Sequence, residues 1–350
     1  TTLKEIGTTL GLSPATVSRA LNGFPEVNQK TRELVQETAK KLNYRPNRLA
    51  QKLVTGRSGM VGMIVRIEDD MSSDPFFFEI IRGLSSALAS FDVDLVLAVD
   101  QHHDPITPYE RLIEKNTLDG FILNAPRPDD MRIAFLKEKG VPFVMHGQAH
   151  SAPDYPFYDL DNALVSGDAV ALLADLGHRR IALLNGDKEY AFAVAREDGF
   201  KSALAKRNLK TPDAFIQNGD GGEEYGYSAG LACLAGRHGA RPTALICAST
   251  LIAAGVLRAA RDLKLNVPQD VSVIAHDDAF PILKAINLEP ALTVTRAPLR
   301  EACAPLAKLL VDHIKGAPVN DLQQMARAEV IIRNSTGPVP NGEAVGWQTS

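Results

Sequence analysis

Cysteine is scarce in this 350-residue sequence: Cys233, Cys247 and Cys303 are widely spaced and odd in number. No CxxC pair or Cys/His cluster joins them, which argues against a disulfide framework and against zinc. No apolar run approaches the roughly 20 residues of a membrane helix, and "TTLKEIGTTL" has none of the apolar stretch of a signal peptide. These absences predict a cytoplasmic protein without a membrane role. A P-loop is missing, and "GDGGEEYG" follows no strand, so no nucleotide cofactor is expected. His102 and His103 in "DQHHDP" have no further ligands at useful spacing, so no metal is expected either. "GYSAG" at 226–230 matches a nucleophile elbow in letters only, because "NGDGGEEYGY" runs up to Ser228 where an apolar strand is required.

What is present is ordinary for a globular chain, 45% apolar and 23% charged, and long enough for two or three domains. The net charge of −4 hides an asymmetry. Residues 1–57 hold ten Lys/Arg and four Asp/Glu, a net +6, which leaves −10 for the rest. A small basic head on an acidic body predicts that the head alone meets a polyanion.

The head reads as three short helices. "LKEIGTTL" spaces Leu3, Ile6 and Leu10 helically, and "GLS" follows as a turn. In "SPATVSRALNG", Ser13 is an N-cap, Pro14 suits the first helical position and Asn22-Gly23 is a stop. Val17 and Leu21 face inward, leaving Pro14, Ala15, Ser18 and Arg19 outward. A third helix over 29–42, capped by Asn28, is expected to bury Leu34, Thr38 and Leu42. Two helices across a glycine-containing turn, braced by a third, make a helix-turn-helix whose second helix fits a major groove; a small protein-binding module is the competing reading.

The connector "NYRPNRLAQKLVTGR" combines Arg45, Arg48, Lys52 and Arg57 with Leu49, Leu53 and Val54, and has no acid. As a helix over 47–54 it aligns Leu49 with Leu53 and Arg48 with Lys52. Paired with a second copy on DNA, a leucine there could wedge into the minor groove. A linker whose leucines pack on the body is equally compatible with these residues.

From residue 60, "MVGMIV", "VDLVLAV", "DGFILN", "VPFVMHG", "RIALLNG", "TALICAS" and "VSVIAHD" read as buried parallel strands. Helices are expected between them, over 77–90, 163–176, 196–207, 251–264 and 299–315. Repeated βα units over about 280 residues imply an α/β body of two lobes, with a ligand site where strand C-terminal ends face the cleft. Phe76, Phe77 and Phe78 follow the first strand, and Tyr190 and Phe192 follow "RIALLNG". Aromatic faces beside hydrogen-bonding groups suit a sugar ring, and a phenylalanine cluster equally suits a core.

"LKEIGTTLGLSPATVSRALNG", "TRELVQETAKKLNYRPNRLAQKL" and the body pattern resemble the lactose-repressor (LacI/GalR) family of bacterial transcription regulators over residues 2–335. The resemblance implies base reading by Pro14, Ala15 and Arg19, a wedge at Leu53, and Asn47 and Arg48 beside it. It implies a homodimer on operator half-sites about one helical turn apart and lobes like those of periplasmic sugar-binding proteins. It also implies a small-molecule effector, most readily a saccharide, gripped by Arg196 of "REDGF" and Asp277 of "VSVIAHDD". The same match points to Asn124, His146, Ser249 and Tyr225 as further contacts.

Gly7 stands where the family usually has alanine, "STLIAAG" replaces its "NDxxAlG", and Ala297 replaces a common glutamine. The pocket floor is thus expected to be smaller and less polar. The domain division that follows is a helix-turn-helix head at 1–45, a hinge at 46–57, a bilobal body at 58–340 and a tail at 341–350. Lobe 1 would take 58–160 and 291–321, and lobe 2 would take 161–290 and 322–340. The tail shows no leucine heptad, so a C-terminal coiled coil is not expected. Two other functions fit the body alone. A sugar transport receptor needs an export signal and no basic head, and a sugar-metabolising α/β enzyme needs a catalytic dyad or cofactor loop that is not evident.

Overall fold

The computed structural model describes residues 2–44, 56–66, 75–100, 104–237 and 239–340, with the backbone alone at 66 and 75–77. It contains two compact units, Thr1–Gly59 and Met60–Ser350.

In the first unit, α1 (Leu3–Leu10), α2 (Pro14–Leu21) and α3 (Gln29–Lys41) start where short polar side chains cap them. Thr2 and Glu5 form a reciprocal capping box, Ser13 accepts from the Thr16 amide at 3.1 Å, and Asn28 accepts from the Thr31 amide at 2.8 Å. Ile6, Val17, Ala20, Val27, Val35 and Ala39 make the core, with Leu3, Leu10, Leu12, Leu21 and Tyr44 packed around it. The expected burial on α3 is corrected here: Leu34 is 49% and Leu42 37% exposed, while Val35 and Ala39 face inward. Small residues take the inward positions because they let three short helices meet closely. Gly7 serves the same end, since a Cβ there would lie 2.5 Å from the Leu12 carbonyl.

The second unit alternates strands and helices. β1 (Met60–Arg66), α4 (Pro75–Ala89), β2 (Asp94–Asp100), α5 (Thr107–Glu114), β3 (Phe121–Asn124), α6 (Met131–Glu138), β4 (Phe143–His146) and β5 (Phe157–Leu160) come first. Then follow α7 (Asn162–Asp175), β6 (Ile181–Asn185), α8 (Ala191–Lys206), β7 (Ile216–Asn218), α9 (Glu223–Leu234), β8 (Ala244–Cys247) and α10 (Thr250–Asp262). The chain ends through β9 (Ser272–Asp277), β10 (Thr293–Arg296), α11 (Leu299–Ile314), β11 (Gln323–Ala326) and β12 (Glu329–Ile331). Two six-stranded sheets result, ordered β11-β5-β4-β3-β1-β2 and β12-β10-β9-β8-β6-β7. Described strand pairs are parallel except β10 with β12. Each expected strand is present; the inner ones are buried by helices on both faces, while the edge strand β2 leaves Leu97 and Val99 exposed.

The lobe boundaries differ from expectation. The chain leaves the first sheet after Leu160, returns after Arg296 and leaves again after Ala326, so 293–296 belongs to the second sheet and 323–326 to the first. β10 escapes a hydropathy reading because it is "TVTR". Its threonines are buried by hydroxyl partners: Thr293 meets Thr336 at 2.8 Å and Thr295 meets His276 at 3.3 Å. The helix expected from 196 starts at Ala191.

Ser228 lies inside α9 and donates to the Tyr225 carbonyl at 3.1 Å, a back-bond to the preceding turn common for serine within helices. Among the described residues no helix is long and apolar enough to cross a membrane, and no group of three His, Cys, Asp or Glu could hold a metal ion. The histidine pair 102–103, the connector over 45–55 and the tail over 341–350 lie outside the described residues.

Candidate functional site

Both sheets end their strands at a cleft of about 780 Å³ lined from each lobe. Its central feature is Arg196, on the second turn of α8 and 7% exposed. Gly199, one turn further on, explains how the arginine gets there. A Cβ at 199 would sit 2.1 Å from the Ala163 carbonyl, so glycine lets α8 press directly on the start of α7. That contact brings Arg196 Nε to Asn162 Oδ1 at 2.9 Å and Nη1 to the Ala248 carbonyl at 2.8 Å. The guanidinium lies 5.2 Å from the centre of the Phe192 ring, which itself stacks on Tyr190 at 6.0 Å. Burial lowers the guanidinium pKa, opposed by Asp278 and Asp159.

Asn162 passes the network on. Its Nδ2 donates to the Leu160 carbonyl at 2.9 Å and to Asp159 Oδ1 at 3.3 Å. Burial pushes the Asp159 carboxyl up to about 7, with the Leu160 amide and Arg196 pulling the other way. For Asp278 burial also acts upward, yet His276, Arg196 and His146 hold it below its ordinary value; His276 Nε2 lies 3.4 Å from its Oδ1. Burial drives the His146 imidazole down to about 4 against the opposing charge of Asp278, so it is neutral at pH 7. At the rim, the Ala191 amide of one lobe donates to the Pro126 carbonyl of the other at 2.9 Å, and Arg127 pairs with Glu189 at 2.5 Å.

The raised Asp159 makes a signed prediction. Its carboxyl keeps a proton to about pH 7 in the fold but releases it near 3.8 when unfolded. Folding is therefore favoured at low pH, and stability falls as pH rises from about 4 to about 7. Asp159→Asn removes that dependence. Its stability relative to the parent is expected to improve by about 1–2 kcal/mol between pH 5 and pH 8, read from urea midpoints.

On the head, α2 turns Pro14, Ala15 and Arg19 to solvent with Ser18 half-buried. The Arg19 guanidinium is 3.7 Å from Glu26, both well exposed, a pair worth little.

Comparison with known proteins identifies this arrangement. Residues 2–47 match the model described as bacterial regulatory proteins, lacI family, and residues 170–336 match a periplasmic binding protein-like domain. The HTH-type transcriptional regulator AglR of Rhizobium meliloti (strain 1021) is 41% identical over 340 residues, 97% of this chain and 95% of that one. The chain belongs to the LacI family of bacterial regulatory proteins. It is similar to the transcriptional regulator CelR–cellobiose complex, 28% identical with a TM-score of 0.70, across 96% of this chain and 99% of that one. The lac repressor dimer bound to operator and the anti-inducer ONPF shares the fold, with 24% identity, a TM-score of 0.78 and coverage of 96% and 99%. These relatives are transcriptional regulators, not enzymes.

In this LacI-family regulator the cleft gathers His146, Tyr190, Phe192, Arg196 and Ser249 of the residues expected there. The Ser249 hydroxyl is already engaged, accepting from the Ile252 amide and donating to the Gly221 carbonyl, both at 3.1 Å. Asn124, Tyr225 and Asp277 are not among its lining residues. Asn124 ends β3 just before Ala125 turns through a positive φ of 46°, and its Oδ1 is enclosed without a hydrogen-bond partner. Tyr225 packs on the second-lobe core against Gly219, and burial raises its phenol pKa. Asp277 accepts from the Ala279 amide at 2.8 Å and lies 4.0 Å from Arg296, its partner across β9–β10. Alternation along the strand end hands the cleft to Asp278 instead. The Phe76 and Phe77 side chains, and Asn47, Arg48 and Leu53, lie outside the described residues.

Sequence reading missed Asp159, Asn162 and Asp278. The signal for the first two was "DLDN" closing the short run "FY", a cluster of acids and an amide between a strand and a helix start.

Proposed function

We propose that this regulator is a repressor that binds operator DNA as a homodimer and responds to a saccharide held between its lobes. The observation that carries the effector reading is Arg196. It is buried, fixed at Nε and Nη1 by protein oxygens, and among the described residues its Nη2 has no partner, so it can donate to a hydroxyl entering the cleft. Tyr190 and Phe192 supply an apolar face beside it, suited to the C–H side of a sugar ring. The CelR–cellobiose neighbour supports the same ligand class. Leu97 and Val99 are exposed on the edge strand β2, and Ile282 and Ile286 are exposed on the second lobe, which supports burial against a second copy. A DNA-binding role places the protein in the cytoplasm.

Asn47, Arg48 and Leu53 of the connector then meet the DNA beside α2, and Pro14, Ala15, Ser18 and Arg19 meet the major groove. Arg19→Ala is expected to cost about 1–3 kcal/mol on operator and almost nothing on scrambled duplex, measured by fluorescence anisotropy. Undiminished discrimination by that variant counts against α2 as the reader. The reading as a whole is tested by titrating a saccharide panel with and without operator. By linkage, a ligand that releases DNA must bind more weakly to the complex than to the free protein. A panel that leaves both melting temperature and operator affinity unmoved defeats it.

A further inference from the structure

We propose that the cleft selects an uncharged saccharide and rejects anionic ones such as sugar phosphates, because its wall carries aspartates in excess of one already engaged guanidinium. The inference rests on the saccharide-effector reading and deepens it.

The described lining holds Asp161, Asp187, Asp198, Asp220 and Asp278, beside Asp159, which keeps its proton to about pH 7 and adds little charge; it has no glutamate, no lysine, His146 and His150 as its histidines and Arg196 as its single arginine. Arg196 spends two of its three nitrogens on Asn162 and the Ala248 carbonyl. Its charge is balanced by Asp278, which stays ionised in its field. His146 adds no positive charge, since burial keeps it neutral. Two cations next to lining residues are committed to glutamates: Lys188 pairs with Glu197 at 2.8 Å and Arg127 with Glu189 at 2.5 Å. Asp187, Asp198 and Asp220 remain as exposed carboxylates at the opening. A phosphate brings about −2 at neutral pH and needs arginine forks, lysines or free amides to replace its water. Here it would enter a low-dielectric cleft of its own sign, whereas hydroxyls find carboxylate acceptors and the free Arg196 Nη2. Clefts of one sign concentrate or repel charged ligands by roughly 10- to 1,000-fold, an effect that salt weakens.

Two measurements on the full chain test this. In the first, trehalose, sucrose and glucose are titrated beside their 6-phosphates by calorimetry. Whichever neutral sugar binds, its phosphate is expected to bind about 30-fold or more weakly; a phosphate that binds as well as its parent overturns the proposal. If no member of any pair binds, the saccharide reading fails and takes this inference with it as an account of effector choice. In the second, Ala163→Cys places a thiol on the cleft wall, while Cys233, Cys247 and Cys303 are buried. The rate with trimethylammonioethyl methanethiosulfonate, relative to the sulfonatoethyl reagent, is expected to exceed the ratio for free cysteine by about 10-fold at low salt. Asp187→Asn with Asp220→Asn is expected to narrow that excess. A ratio equal to free cysteine's shows that the wall carries no repulsive field, and overturns the charge argument whatever sugar binds.

Discussion

Arg196→Ala is expected to weaken saccharide binding by about 100-fold or more, about 2.7 kcal/mol, while operator binding without saccharide persists. The size follows from what the side chain holds. Its loss strips Asn162 Oδ1 and the Ala248 carbonyl of their donors in a buried site, at about 1–3 kcal/mol each if no water replaces them. It also removes the cation beside Phe192 and the donor offered to the ligand. Arg196→Lys retains the charge but not the planar fork that reaches two oxygens at once, so it is expected to recover only a small part. Calorimetry on the free protein and anisotropy on labelled operator separate the two functions. A normal titration by the alanine variant would remove Arg196 from the site. Loss of operator binding as well would mean that the lobes and not just the ligand had been disturbed.

Gly226→Val is expected to destabilise the body by about 3 kcal/mol, with Ser228→Ala within about 0.5 kcal/mol of the parent. Both residues belong to "GYSAG", so the pair of variants separates the two meanings of that motif. A Cβ at Gly226 would lie 2.2 Å from the Ile252 carbonyl, and one at Gly255 would lie 2.2 Å from the Glu223 carbonyl. Gly230 is less tight, with 3.2 Å to Val256. The glycines therefore form the seam along which α9 and α10 cross backbone to backbone, and valine at 226 has nowhere to go without separating the helices. Ser228 is exposed and bonds only within its own helix turn, so its hydroxyl carries little stability. Urea unfolding followed by circular dichroism measures both. A Gly226→Val protein as stable as the parent would show that the crossing tolerates a wider gap than the backbone contacts imply.

The parts of this molecule that were readable in advance share one property: a local pattern forced by a local cause. The caps at Ser13 and Asn28 mark helix starts because a side chain must meet the first free amides. Runs such as "RIALLNG" and "VSVIAHD" mark strands because helices cover both their faces. Where the outcome depends on how two elements meet, the pattern misleads. Leu34 and Leu42 are larger than Val35 and Ala39, but only the smaller pair fits between the head helices. Asp277 and Asp278 are adjacent and chemically identical, and a strand's two-residue alternation decides which one reaches the cleft. β5, β10 and β11 are four residues each, and aspartate, threonine and glutamine give them no apolar run to detect; β12, at three residues, is too short to show a period. Asn162 was hidden for another reason. Its value comes from joining Asp159 to Arg196, which lies 34 residues beyond Asn162 in the sequence, and no spacing rule reports that.

The order of the strands also bears on how a cell makes the protein. Residues 323–331 furnish β11 beside β5 in one sheet and β12 beside β10 in the other, the outermost position in each. Until that stretch has left the ribosome, β5 and β10 are open flanks able to pair with neighbouring nascent chains. The first 44 residues, by contrast, have a separate core and can fold soon after emerging. Translation arrested just short of residue 323 would thus release a finished reading head attached to two unfinished, aggregation-prone halves.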